Sequence, residues 1–201
     1  KSKILDKSDR GELKLISGDK DSKDKIIWGE NTEALKCLLY DEKYKGKIDL
    51  VYIDPPFSTN TSFKYDDDRA TTVSSSNNGK IAYEDKLTGF EFIEFLRERI
   101  ILLSELMSER ASIYLHIDYK IGHYVKIIMD EIFGMENFRN DITRIKCNPK
   151  NFVRKGYGNI KDLILFYSKS NEMTFNEPRI PHTKDDIKRL FLKKNDKGER
   201  Y

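Results

Sequence analysis

Ile48-Asp49-Leu50-Val51-Tyr52-Ile53-Asp54-Pro55-Pro56-Phe57 is the stretch on which the fold of this chain turns. Its first six residues, mostly aliphatic and aromatic, predict a buried strand of a parallel sheet. The two prolines then end it, because each fixes φ and removes a ladder donor. Upstream, Ile26-Ile27-Trp28 predicts a short strand, and Gly29-Glu30-Asn31 a turn with Asn31 as helix N-cap. Ala34, Leu35, Leu38 and Leu39 follow at helical spacing. Strand, helix, strand predicts an α/β domain with a right-handed crossover.

Downstream the alternation continues. Ser58 to Lys80, with Ser74-Ser75-Ser76-Asn77-Asn78-Gly79 near its centre, is too long for an ordinary connector and predicts a mobile functional loop. Phe90 to Arg110 carries an apolar stripe through Phe92, Leu96, Ile100, Leu103 and Met107 and predicts a helix. Ala111 to Ile117 reads as a strand, Ile121 to Phe133 as a helix closed by Gly134, and Asp162 to Tyr167 as another strand. Asp141 to Ile160 is basic, rich in Asn and Gly, and without periodicity. A short helix is expected at Asp185 to Leu192.

The charge balance is uneven. The chain has 37 Lys+Arg and 34 Asp+Glu, net +3, yet residues 143–201 hold fifteen basic and seven acidic residues, net +8, which leaves −5 for residues 1–142. The chain therefore divides into an N-terminal arm (1–25), an acidic α/β part (26–142) and a basic part (143–201). A basic surface suits a polyanion, although a solvated lysine-rich face has the same composition. The polar first twenty residues and the lack of any apolar run near the roughly 20 residues of a membrane span predict a cytoplasmic protein with no membrane partner. Cys37 and Cys147 are not expected to pair. Because the chain begins at Lys1 rather than Met, it is expected to be part of a longer protein.

Asp54-Pro55-Pro56-Phe57 also carries the chemistry. Strand carboxyl ends are where open α/β sheets bind ligands. A carboxylate on Asp54, a carbonyl on Pro55 and a flat ring on Phe57 describe a receptor for a planar group bearing an NH₂, such as a nucleobase. Two acceptors on such an amine localise its lone pair toward an electrophile, and Asp54 stabilises the charge that develops on nitrogen. The same tetrapeptide read without function is a strand terminator.

In this order the segments resemble the amino-group DNA methyltransferases of restriction-modification systems, in the permuted β-class arrangement. Val51 to Phe57 resembles motif IV, and Ile27-Trp28-Gly29-Glu30-Asn31 resembles the Gly-Asp-Asn segment before it, with Glu30 in place of Asp. Ser112 to Asp118 is similar to the motif VI strand, Met129 to Asn140 to the next helix and strand entry, and Asn159 to Tyr167 to the strand that follows. The resemblance implies a Rossmann-like sheet dependent on S-adenosylmethionine, incomplete because the Phe-x-Gly-x-Gly cofactor segment is absent. It implies methyl transfer to adenine N6 in double-stranded DNA after base flipping. Asp54, Pro55, Pro56 and Phe57 are then the catalytic group, and Trp28, Glu30, Asn31 and Asp54 line the cofactor site, with Trp28 expected to serve as a core residue flanking the cleft.

Lys64, Arg139, Arg144, Lys146, Lys150, Arg154, Lys155 and Tyr157 are the expected DNA contacts, although Arg139 and Arg144 fit structural roles equally. His116, Asp118 and His123 lack convincing metal-ligand spacing, and no metal is expected. The expected partners besides DNA are a restriction or specificity subunit, the protein's own missing C-terminal part, or a second copy in a homodimer. The alternative from another class is a non-catalytic DNA-binding or assembly piece. RNA or protein amide nitrogen is a further acceptor compatible with the tetrapeptide.

Overall fold

The computed structural model describes residues 3–6, 11–19, 21–41, 43–55, 89–146, 155 and 160–198, and the backbone of 62–65 and 80–84. In chain order the elements are α1 (Asn31–Leu39), β1 (Ile48–Ile53), β2 (Ser62–Tyr65), β3 (Lys80–Glu84), α2 (Phe90–Leu106), β4 (Met107–Asp118), α3 (Gly122–Phe133), β5 (Phe138–Ile145), β6 (Lys161–Ser168) and α4 (Lys184–Leu190). A four-stranded sheet runs β1-β4-β6-β5. β1 and β4 are parallel, joined through α2, and β6 is antiparallel to both its neighbours.

One face of the sheet is the core. Ile113, Leu115, Ile117, Leu165 and Tyr167 point to that face and bury against Phe92, Leu96 and Ile100 of α2 and Val125, Ile128 and Met129 of α3. Both helices present apolar positions three and four apart to it. At the end of α3, Gly134 takes φ +89°, where a side chain would be strained, and its amide donates to the Asp130 carbonyl. A second cluster packs α1 on the flank of α2 through Leu39, Leu102 and Leu106. Ile4 and Leu5 join it and the Tyr40 hydroxyl donates to the Leu5 carbonyl, so the N-terminal arm is in part anchored rather than free.

Several expectations are corrected. Ile26 to Trp28 form no strand: Ile26 and Trp28 are fully or almost fully exposed and pair with no strand among the described residues, so the crossover predicted around α1 is not formed there. Trp28 is therefore not the core residue expected. Glu30, not Asn31, is the N-cap of α1, its longer carboxylate reaching the Glu33 amide. α2 stops at Leu106 rather than Arg110, because Met107 already pairs with Ile48 and strand pairing overrides the helical stripe. Phe138 to Ile145, left largely without periodicity by the sequence, is an edge strand laddered on β6. The 58–80 segment contains β2, which pairs antiparallel with β3, a strand starting at the segment's last residue; the segment's other residues, like Cys147, lie outside the described residues. β1 is a strand as expected, but among the described residues it is paired on one side only, and Leu50 and Tyr52 are about 60% exposed.

Candidate active site

The site follows from strand register. β1 ends with Ile53 beside Leu115, so the next residue, Asp54, falls beside His116 of β4. The two side chains meet, with His116 Nδ1 2.9 Å from Asp54 Oδ1. An ionised carboxylate only accepts, so Nδ1 carries the proton and donates. Alternation puts His116 on the sheet face opposite the α2/α3 core, alongside Tyr114, which stacks on Phe166 at 4.4 Å. The two rings cover the middle of this face, and the polar groups gather at its end.

Across the sheet from His116 lies Asp162 of β6, fully buried, with Oδ2 3.5 Å from His116 Nε2. A buried carboxylate is stable only when compensated. Register supplies the compensation, since Arg144 of β5 pairs directly opposite Asp162 and Lys146 follows it. Arg144 Nη1 is 3.2 Å from Oδ2 and Lys146 Nζ 2.6 Å from Oδ1. The result is a row of polar groups, with Lys146 and Arg144 paired to Asp162, Asp162 against one edge of the His116 ring, and the other edge bonded to Asp54. Asp54 is its open end, with a side chain 56% exposed against 8% for His116. Among the described residues, Asp54 Oδ2 takes no hydrogen bond.

The other expected site residues fall elsewhere. Pro55 is buried next to Asp54; Pro56 and Phe57 lie outside the described residues. Glu30 accepts from the Glu33 amide, the Thr32 hydroxyl and Arg99 Nη2, the last at 2.7 Å. Asn31 Oδ1 accepts from Arg99 Nε at 2.6 Å, and the guanidinium lies 3.4 Å from the Phe95 ring centroid. Burial alone would raise the Glu30 carboxyl, but the Glu33 amide, Thr32 and Arg99 together hold it below its usual range. These oxygens secure α1 to α2.

Of the expected DNA contacts, Arg139 donates to Ser168 Oγ, Asn171 Oδ1 and the Ser170 carbonyl, and Arg144 and Lys146 serve Asp162. Lys155 is exposed; the Lys64 side chain and Lys150, Arg154 and Tyr157 lie outside the described residues. His116 and Asp162 were not identified by sequence as parts of one site. The available signal was polar residues in apolar strands, His116 in Ser112 to Asp118 and Asp162 at the head of β6. Asp118, weighed as a metal ligand, instead accepts from the Lys120 and Ile121 amides in the turn before α3. Among the described residues no three His, Cys, Asp or Glu side chains converge for a metal, and no helix is long and apolar enough to cross a membrane.

The N6_N4_Mtase family, described as DNA methylase, matches residues 48–201. The chain belongs to this DNA methylase family. The match opens on the first residue of β1 and includes Asp54, His116 and Asp162, while Trp28, Glu30 and Asn31 precede it. This methylase chain is 35% identical over 174 residues to the type II methyltransferase M.EcaI of Enterobacter cloacae, covering 87% of the chain and 35% of that protein. It is 30% identical over 189 residues to the type III restriction-modification enzyme EcoP15I Mod subunit of Escherichia coli, covering 86% of the chain and 28% of that subunit. The methylase chain thus spans about a third or less of the length of these relatives. Among solved structures it is similar to the crystal structure of the M1.HpyAVI-SAM complex, at TM-score 0.46 and 17% identity, covering 78% of this chain and 60% of that one.

Proposed function

We propose that the protein carrying this chain methylates an exocyclic amine of a base in double-stranded DNA, adenine N6, as the modification enzyme of a restriction-modification system. The observation that carries this reading is Asp54: a half-exposed carboxylate at a strand carboxyl end, oriented by a buried histidine, within a DNA methylase family match. S-adenosylmethionine, when bound, supplies an electrophilic methyl group. Asp54 Oδ2, the oxygen not engaged by His116, accepts one amine N–H and the Pro55 carbonyl the other. This concentrates the nitrogen lone pair and offsets the positive charge that develops there. Phe57 stacks on the flipped base.

Lys155, with Lys64, Lys150, Arg154 and Tyr157, is proposed to contact DNA; Arg144 and Lys146 serve Asp162 at one end of β5, and Arg139 braces the other end on Ser168 and Asn171. The relatives' descriptions as methyltransferases and as a restriction-modification Mod subunit support the reaction class, and with it a restriction-subunit partner or a homodimer. The test is methyl transfer from labelled S-adenosylmethionine to unmodified DNA by the complete gene product, followed by nucleoside analysis. N6-methyladenine is expected; N4-methylcytosine would overturn the adenine assignment, and no transfer the reading itself.

A second reading rests on the engagement of Glu30 and Asn31 with Arg99 and the exposure of Trp28. On this reading the 201-residue chain holds the acceptor side of the reaction, and the cofactor is held by other parts of the polypeptide or by a partner. Titration of the isolated chain with S-adenosylmethionine tests this second reading: weak or no binding is expected, and tight binding contradicts it.

A further inference from the structure

We propose that His116 is a positioning residue for Asp54, with its other edge packed against the Asp162 ion cluster, and that its hydrogen bond fixes the carboxylate orientation on which methyl transfer depends. The inference rests on the functional reading above, because it takes Asp54 as the amine acceptor.

The geometry assigns each group a task. Asp54 has just left β1, and more than half of its side chain faces solvent, so its own backbone leaves the carboxylate free to rotate. A catalytic acceptor in that position is effective only if one rotamer is held, since a misplacement of about 1 Å costs on the order of 100-fold in rate. His116 supplies the restraint: it is 8% exposed, lies within a strand paired on both sides, and donates Nδ1–H to Asp54 Oδ1. That bond directs Oδ2 to the incoming amine.

The ring must itself be fixed, and its other edge faces the fully buried Asp162, which is clamped by Arg144 and Lys146. The arrangement has a simpler structural use, filling a buried polar gap, but that use does not require the line to end on the one exposed carboxylate of the motif. Fixing a ligand's orientation through a histidine and a second carboxylate is a general device wherever a reacting group needs a preset direction.

The experiment uses the complete gene product and compares His116→Leu, His116→Asn, His116→Gln and Asp162→Asn with wild type for kcat, KM and thermal stability. Asn places an amide N–H near the position of Nδ1, Gln near that of Nε2, and Leu keeps only the volume. The expected result is a loss of kcat of about 10- to 100-fold in His116→Leu and His116→Gln, with KM for DNA and cofactor within about twofold. His116→Asn is expected to recover most of that loss, and Asp162→Asn to show a smaller fall in kcat. Wild-type kcat in His116→Leu, or equal losses in Leu and Asn variants tracking stability, would overturn the positioning role. A wild-type protein that transfers no methyl group overturns the functional reading and this inference with it, whereas an active wild type with unaffected His116 variants overturns only the inference.

Discussion

Tyr167, Asp130 and Lys126 on the core face of the sheet, and Asp54, His116 and Asp162 on the opposite face, are clusters of similar chemistry with different ends. In the first, the Tyr167 hydroxyl donates to Asp130 Oδ1 at 2.6 Å, and Lys126 Nζ lies 2.7 Å from both oxygens of the same carboxylate. Lys126 also lies 4.1 Å from the Phe138 ring centroid. The cluster closes on itself and fastens α3 to β6. In the second, Arg144 and Lys146 compensate the buried Asp162, which lies against His116, and the other edge of His116 donates to an exposed acceptor. A closed network contributes stability alone, whereas an open one presents a fixed group to something outside the protein.

The largest expected stability effect tests the buried end of the open line. Arg144→Ala together with Lys146→Ala leaves Asp162 buried without its two cations, and a loss of about 3 kcal/mol is expected in chemical denaturation. A loss below about 1 kcal/mol would mean that Asp162 reaches water. In the closed cluster, Tyr167→Phe removes one hydrogen bond to a partly buried carboxylate and is expected to cost about 1 to 2 kcal/mol, with methyl transfer unchanged.

Tyr167→Phe also has a pH signature. Burial first, and then Asp130, push the Tyr167 hydroxyl well above its ordinary value of 10. The proton is thus held more tightly in the folded state, so this contribution is fully present below pH 10 and is lost as pH rises beyond it. Wild type should lose stability more steeply than Tyr167→Phe above pH 10; parallel curves would contradict the closed network. The smallest effect is expected outside both clusters, at Glu30→Ala, where loss of the N-cap and of the Arg99 pair costs about 1 kcal/mol, measured as a shift in thermal midpoint.

The same contrast explains what the sequence could disclose. α2 and α3 are legible because each buries a periodic apolar set, β1 and β6 because each is an apolar run of strand length, and Asp54 because two prolines follow it. β5 is not, since Arg139, Asn140, Asp141, Thr143 and Arg144 give no apolar alternation, and the strand forms because β6 offers a ladder. The Ile26 to Trp28 run has strand composition but no neighbour to pair with among the described residues. Glu30 stands in the sequence as a carboxylate at a helix start, but its bond to Arg99, 69 positions away, is not legible there. His116 and Asp54 are 62 residues apart, and their contact is a product of parallel register, which no local pattern encodes.

The central claim is that the open line ends in the acceptor of a methylation site. It is tested most directly by measuring methyl transfer and DNA affinity in parallel for Asp54→Ala in the complete gene product. The account predicts that turnover falls by about 100-fold or more while DNA binding and thermal stability stay close to wild type. Turnover retained at the wild-type level would contradict it.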